Sequence, residues 1–331
     1  MSGTTSRLSI ATAPFLTSGL STRRLMGEVL LSLVLVVAAA VWFFGVGALL
    51  LVISASLGAV LTEWVFMGER SGLGTLRDGS ALITGVLLAL TLPPSIPLWM
   101  AFLGGVVAIA LGKVIWGGLG KNLFNPALVG RAFLQAAFPV SLTTWTAPGQ
   151  GVLRVDAALL APPLAQPVDV VTTATPLGLA KFEGQLTELR PLLFGNTGGS
   201  LGETAGLLLV AVGLVLALRK VFDWRLPAAT MLTVAVLSGI LHLASPDSYP
   251  GPLFMLCSGG LLFGAVFMVT DPVTTPLTPR GMWIFGFGVG VLVVLIRLWG
   301  GLPEGVMYAI LLMNSVTPLI NRYGQPRIFG G

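Results

Sequence analysis

The chain has 331 residues, 55% of them hydrophobic and only 9% charged, about a third of the charge that a soluble domain of this length carries, and its mean hydropathy is +0.93. Such values exclude a water-soluble globular protein and read as an all-α polytopic membrane protein in a lipid bilayer. Eighteen Lys and Arg against thirteen Asp and Glu give a formal charge of +5, which in so apolar a chain reports membrane orientation and sets nucleic acid aside.

The chain opens with a polar segment, residues 1–26, that runs through Arg7 to Arg23 and Arg24 without a small-residue cleavage pattern. The N-terminus is therefore expected to stay in the cytoplasm. Residues 29–62 and 79–112 follow, each 34 residues without a charge. A spanning helix needs about 20 apolar residues, so each stretch is read as two spans. The first divides at Gly45 and Gly47, the second at Pro93, Pro94 and Pro97, because proline lacks the backbone donor and clashes with the preceding turn. An apolar stretch at 122–142 is the fifth span. Stretches at 203–221, 226–245, 252–270, 282–299 and 303–320 bring the count to ten.

Alternating sides from a cytoplasmic N-terminus places thirteen basic residues inside: Arg7, Arg23, Arg24, Arg70, Arg77, Lys113, Lys121, Arg219, Lys220, Arg225, Arg280, Arg322 and Arg327. Outside lie Arg154, Lys181, Arg190 and Arg297, and Arg131 falls near the start of a span. This bias is the one that the positive-inside rule expects when both termini are cytoplasmic. Cys257 and His242, one of each in the chain, supply neither an iron–sulfur cluster nor two haem ligands and read as packing residues.

Two halves share a pattern. Gly85 stands six residues before Thr91, which is followed by Pro93, Pro97 and Leu98; Gly264 stands six before Thr270, followed by Pro272, Pro276 and Leu277. Around these anchors lie Gly27-Glu28 and Gly202-Glu203, Trp116-Gly117-Gly118 and Trp299-Gly300-Gly301, and Asn125 and Asn314, the last pair expected ahead of the final span of each half. The reading is a five-helix repeat at 27–141 and a second at 202–321, with a cytoplasmic tail at 322–331. An odd number of spans per half inverts the second half relative to the first, and interrupted helices in such folds meet near the midplane.

Acids inside a membrane are costly and mark ion paths. Asp271, in Thr270-Asp271-Pro272, is the favoured candidate, with Glu203 and Glu28 beside it. Glu63 and Asp78 read at least as well as solvated surface acids, and Glu28 and Glu203 as caps of helix N-termini.

Between the halves, residues 142–201 form a long outward-facing loop, and loops of this length are usually functional. Within it runs Asp169-Val170-Val171-Thr172-Thr173-Ala174-Thr175-Pro176-Leu177. By itself this is a hydroxyl-rich turn. It is similar, however, to the flavinylation pattern Asp-x-x-Ser/Thr-Gly-Ala-Ser/Thr, with Thr173 where the pattern has glycine. The rest of the chain agrees: Arg77-Asp78-Gly79-Ser80 leading to Thr91-Leu92-Pro93-Pro94, Asn122-Leu123-Phe124-Asn125-Pro126-Ala127, Gly199-Ser200-Leu201-Gly202-Glu203, Thr270-Asp271-Pro272-Val273 and Met313-Asn314. Over nearly its whole length the chain resembles a family of membrane components shared by the Rnf ion-translocating electron-transport complex (its D component) and the sodium-pumping NADH:quinone oxidoreductase (its B component), and the Arg-Asp-Gly-Ser run and short N-terminus favour the Rnf side.

The resemblance implies an FMN joined through its phosphate to the hydroxyl of Thr175 by a separate flavin transferase, with Asp169, Thr172 and Ala174 as recognition positions. It also implies a second, non-covalent flavin, riboflavin, and partner subunits that handle ferredoxin and NAD. The bacterial inner membrane is the implied location, with the flavin loop in the periplasm. The implied role is electron relay coupled to sodium or proton transport. A channel or secondary transporter without redox function is the competing reading, since an inverted repeat with broken helices would suffice for it.

Overall fold

The computed structural model describes residues 22–71, 78–149, 151–153, 155–163 and 172–324. The N-terminal segment before 22, the tail after 324, and Arg77, Arg154 and Asp169 lie outside the described residues. The described chain is helical, with no strand among those residues and one isolated antiparallel bridge, Thr146 to Thr172.

Helix α1 (Thr22–Phe44) passes into α2 (Val46–Ser71) through Gly45 alone. Gly45 has φ +81°, a left-handed conformation that glycine adopts without a Cβ penalty, so the first break falls where the glycines placed it. Helix α3 (Ser80–Leu90) is followed by the turn 91–97 and α4 (Leu98–Ile109), which runs on into a π-helical turn at Ala110–Val114. Helix α5 (Pro126–Ala137) starts cleanly: Asn125 Oδ1 accepts from the backbone N of Ala127 and Leu128 at 3.0 and 3.4 Å, and Pro126 takes the first position, where no donor is needed.

The loop carries α6 (Pro139–Thr143), α7 (Pro176–Gly178) running into a π-helical segment Leu179–Glu183, and α8 (Leu189–Phe194). The second half then comprises α9 (Gly206–Leu218), α10 (Arg225–Ala244), α11 (Pro252–Cys257), α12 (Leu261–Phe263) with a π-helical turn Gly264–Met268, α13 (Pro279–Trp299) and α14 (Val306–Gly324). Four helical stretches among the described residues, Thr22–Phe44, Val46–Met67, Arg225–Ala244 and Pro279–Trp299, are long and apolar enough to cross a membrane. The shorter apolar helices Ser80–Leu90, Leu98–Val114 and Gly206–Leu218 accompany them.

Glycines let the backbones meet. A Cβ on Gly105 of α4 would lie 2.2 Å from the Ala55 carbonyl oxygen of α2, and one on Gly286 of α13 would lie 2.6 Å from the Ala229 Cβ of α10. Lipid offers no hydrophobic drive between helices, so close van der Waals contact over small residues holds such pairs together. The most extensive helix pairings are α2 with α4 in the first half and α10 with α13 in the second.

Each half also ties its last helix to its own turn. Arg131 of α5 donates to the Thr91 carbonyl, and Thr317 of α14 donates to the Thr274 carbonyl at 3.0 Å. The two turns have different surroundings. The first sits against the loop, where Gly202 N donates to Leu90 O at 2.7 Å and Ser95 Oγ to Thr144 O at 3.0 Å; at the second, Leu277 N donates to Asn321 Oδ1 at 3.0 Å.

Several expectations change. Asn314 is fully buried in the middle of α14 and does not precede the last helix as Asn125 does, because the register drifts between the halves. Glu63 is no surface acid: it is fully buried on α2, and both its oxygens accept from Lys113 Nζ at 2.8 Å. Asp78, half-buried just before Gly79 at the start of α3, has its Oδ1 accepting from Ser80 N at 2.8 Å and Ser80 Oγ at 2.6 Å. Neither Glu28 nor Glu203 caps a helix: Glu28 lies inside α1, and the residue that precedes α9 is Ala205, with no side-chain bond.

Candidate functional site

The loop is seated by short polar ties. Thr173 N donates to Trp145 O at 2.9 Å beside the Thr146–Thr172 bridge, fixing the segment that leads to Thr175. Thr175 then takes the position before α7, and its Oγ1 accepts from Gly178 N at 3.1 Å. Pro176 occupies the first helical position, where no donor is needed, so the run 176–183 begins at the Thr175 side chain, and Leu179 N donates to Thr175 O at 2.9 Å. Gly178 keeps that hydroxyl uncrowded, since a Cβ there would stand 3.1 Å from Oγ1.

From further along this helical run, Lys181 Nζ donates to three carbonyls at the end of α13 and beyond: Ile296 at 3.2 Å, Gly300 at 2.6 Å and Leu302 at 3.0 Å. A cation is favoured at a helix C-terminus, where unpaired carbonyls collect. Burial holds the Lys181 pKa below the ordinary lysine value.

Thr175 opens onto a cavity whose walls include Trp145, Arg131, Glu203, Glu304 and Gly198. A neighbouring cavity shares Arg131, Trp145, Glu203 and Glu304 and adds apolar walls from Leu128, Phe263 and Met307. Glu304 is held by Arg297 Nη2 at 3.3 Å and accepts from the backbone N of Gly260 at 3.1 Å. Glu203 Oε2 accepts from Ser200 N at 3.4 Å.

The residues singled out from the sequence divide by place. Thr175 and Glu203 share the loop-end cavity. Thr172 is exposed and Ala174 lies between it and Thr175 on the same segment, while Asp169 is outside the described residues. Thr173 has no left-handed backbone, since Lys220 is the one non-glycine residue with positive φ among those described; the position therefore does not require glycine. Asp271 lies elsewhere, on a separate cavity that also meets Ser80, Lys113, Asn122 and Asn125. Its Oδ1 accepts from Val273 N at 3.1 Å. Glu28 is bonded to Arg24 at 3.3 Å and to Arg219 at 3.0 Å, joining α1 to the end of α9.

Four residues around the loop-end cavity, Arg131, Trp145, Arg297 and Glu304, carry no motif that would mark them in the sequence; in the chain Glu63–Lys113–Ser80–Asp78 beside the other cavity, Ser80 and Asp78 fall in the Arg77-Asp78-Gly79-Ser80 run, and Glu63 and Lys113 carry none. The one available signal is Arg131 itself, a charge left inside an apolar stretch.

A family model described as the NQR2, RnfD, RnfE family matches residues 9–330. The D subunit of a proton-translocating ferredoxin:NAD(+) oxidoreductase complex of Clostridium ljungdahlii is 41% identical, over 97% of this chain and 96% of that protein. Two proteins named as the D subunit of an ion-translocating oxidoreductase complex are also similar: one of Stutzerimonas stutzeri at 41% identity over 94% of this chain and 92% of its own length, and one of Escherichia coli at 38% over 97% and 98%.

Proposed function

The chain belongs to the NQR2, RnfD, RnfE family, and on that premise we propose that it is the D subunit of an ion-translocating ferredoxin:NAD oxidoreductase complex, relaying electrons through an FMN esterified to Thr175 and helping to couple their flow to sodium or proton transport. It acts with the other subunits of that complex and needs a flavin transferase for maturation.

The observation that carries this reading is the placement of Thr175: a half-buried hydroxyl at the start of a helical run, facing a cavity walled by Trp145 and Arg131 together with the acids Glu203 and Glu304. A phosphate ester there meets the backbone N–H of Gly178, which already points at Oγ1, and the positive end of the helical run. Trp145 and Arg131 would flank the group, and Gly178 and Gly198 leave it room; a Cβ on Gly198 would lie 2.9 Å from Thr173 Cγ2. The flavin, when bound, supplies the one-electron chemistry, and the protein sets its position, its solvent access and its surrounding charge. The cavity beside Asp271 is the place we assign to a second, non-covalent flavin such as riboflavin.

The architecture fits ten spans in two inverted five-helix halves. Supporting this are the matched pairs α2 with α4 and α10 with α13, and the ties Arg131 to Thr91 and Thr317 to Thr274. With both termini in the cytoplasm of a bacterial cell, the loop and Thr175 face the periplasm. Asp271 is the acid proposed for the ion path, whereas the paired Glu28 ties two helices together.

The test is direct. The chain, co-expressed with a flavin transferase, is denatured, run on a gel and viewed under ultraviolet light beside Thr175→Ala and Thr175→Ser. A fluorescent band in wild type and Thr175→Ser, absent from Thr175→Ala, is the expected result; a dark wild-type band removes the flavin reading and leaves the non-redox transporter.

A further inference from the structure

Arg131 joins the cavity at Thr175 to the turn between α3 and α4. It is 8% exposed, donates through Nη1 to the Thr91 carbonyl where α3 ends, and lines both loop-end cavities. Its Nε is buried without a hydrogen-bond partner among the described residues. A buried guanidinium with an unused donor is costly, so the position needs a reason. A second buried cation is arranged in the same way: Arg297 donates to the Met255 and Ser258 carbonyls, at the interruption between α11 and α12, at 2.6 and 3.0 Å, and reaches Glu304 on the cavity wall. Each half therefore sends one cation to backbone carbonyls at a helix break on one side and toward the same cavity on the other.

We propose that Arg131 transmits the charge state of the loop-end cavity to the helix break at 91–97. The proposal rests on the reading of Thr175 as the flavin carrier and gives Arg131 a positioning role beyond flanking the flavin. Negative charge gained in the cavity attracts the guanidinium in a low-dielectric setting where the pull is strong. Arg131 then has two competing partners, the cavity and the Thr91 carbonyl. A guanidinium drawn toward the first loosens its hold on the second, and the end of α3 and the turn behind it gain freedom to move. Lysine keeps the charge but lacks the planar fork of donors by which one guanidinium faces the Thr91 carbonyl and the cavity together.

The experiment uses the whole complex carrying wild-type, Arg131→Met or Arg131→Lys chain. Three quantities are read: gel fluorescence of the denatured chain, the midpoint potential of its covalent flavin by redox titration, and ions moved per electron in vesicles. Arg131→Met, compared with wild type per mole of covalent flavin, is expected to shift the potential downward because a nearby positive charge is lost, and to lower the ions moved per electron. Arg131→Lys is expected to hold the potential near that of wild type while coupling still falls. A bright band with unchanged potential in Arg131→Met, or full coupling in Arg131→Lys, overturns the proposal while leaving Thr175 as the flavin carrier. A dark wild-type band overturns both. If Arg131→Met does not accumulate, the Lys variant decides the matter by its coupling alone.

Discussion

Lys181 donates to the carbonyl oxygen of Gly300 across 2.6 Å, although 119 residues separate the two in the chain. The contact anchors the helical run that begins at Thr175 to the end of α13. Replacing Lys181 with Met removes a charged donor from three carbonyls, and hydrogen bonds to charged groups are each worth about 1.5–3 kcal/mol. Limited proteolysis of the detergent-solubilised chain should then cut faster within 176–190, with the rest of the molecule resisting as before.

The same lysine has a signature in pH. Burial lowers its pKa in the folded chain, so over the interval between that value and the ordinary lysine value of about 10.4 the unfolded chain binds more protons than the folded one. Stability from this group therefore rises with pH across that interval, and the cost of burying its charge is present in full below it. Thermal unfolding followed from about pH 8 to pH 10.5 should show the wild type gaining on Lys181→Met; a constant difference would speak against the assignment.

Gly178 guards access to the hydroxyl. A valine there places its Cβ within about 3.1 Å of Thr175 Oγ1 and should reduce flavin attachment sharply while the protein still accumulates in the membrane. Thr173→Gly should leave attachment almost unchanged, because the backbone at 173 is already one that any residue adopts. Band fluorescence per unit of protein measures both.

Glu63 and Lys113 form a buried pair whose members depend on one another. Removing one partner of such a pair costs about 3–5 kcal/mol, because a charge is left unpaired in the interior. Glu63→Gln and Lys113→Met alone should each lower yield and unfolding temperature in detergent, and the double variant should recover a substantial part of the loss. A double variant as poor as the sum of the singles would show that the two do not act as a pair.

Asp271 and Thr175 line different cavities. Asp271→Asn should leave the fluorescent band intact and reduce ion transport by the complex. Equal membrane potential in mutant and wild type would remove it from the ion path.

Much of the helix plan was legible in the sequence because its signals are local. Proline at 93, 94 and 97 and glycine at 45 break helices through their own backbone chemistry, and Asn125-Pro126 announces the start of α5. A seven-residue pattern, 169–175, draws attention to Thr175, and the structure places that residue at a cavity wall. The charges were not, since their partners are set by packing: Glu63 meets Lys113 fifty residues away, and Arg131 meets Thr91 forty residues away. An acid near the end of an apolar run looks solvated until the helix beside it is known to carry a lysine. Asn314 misled for a related reason, because two halves that share anchors need not share the residues between them.

The tether of residues 172–173 to 145–146 and the reach of Lys181 to α13 mean that Thr175 is held in shape from both sides of the chain. Trp145 precedes it by thirty residues and Gly300 follows it by more than a hundred. The turn at Thr175 reaches this form only after the ribosome has made α13 and that helix has docked, so the presentation of Thr175 is a late product of assembly. A chain truncated before residue 300 would carry every residue of the motif and still lack the frame that displays it.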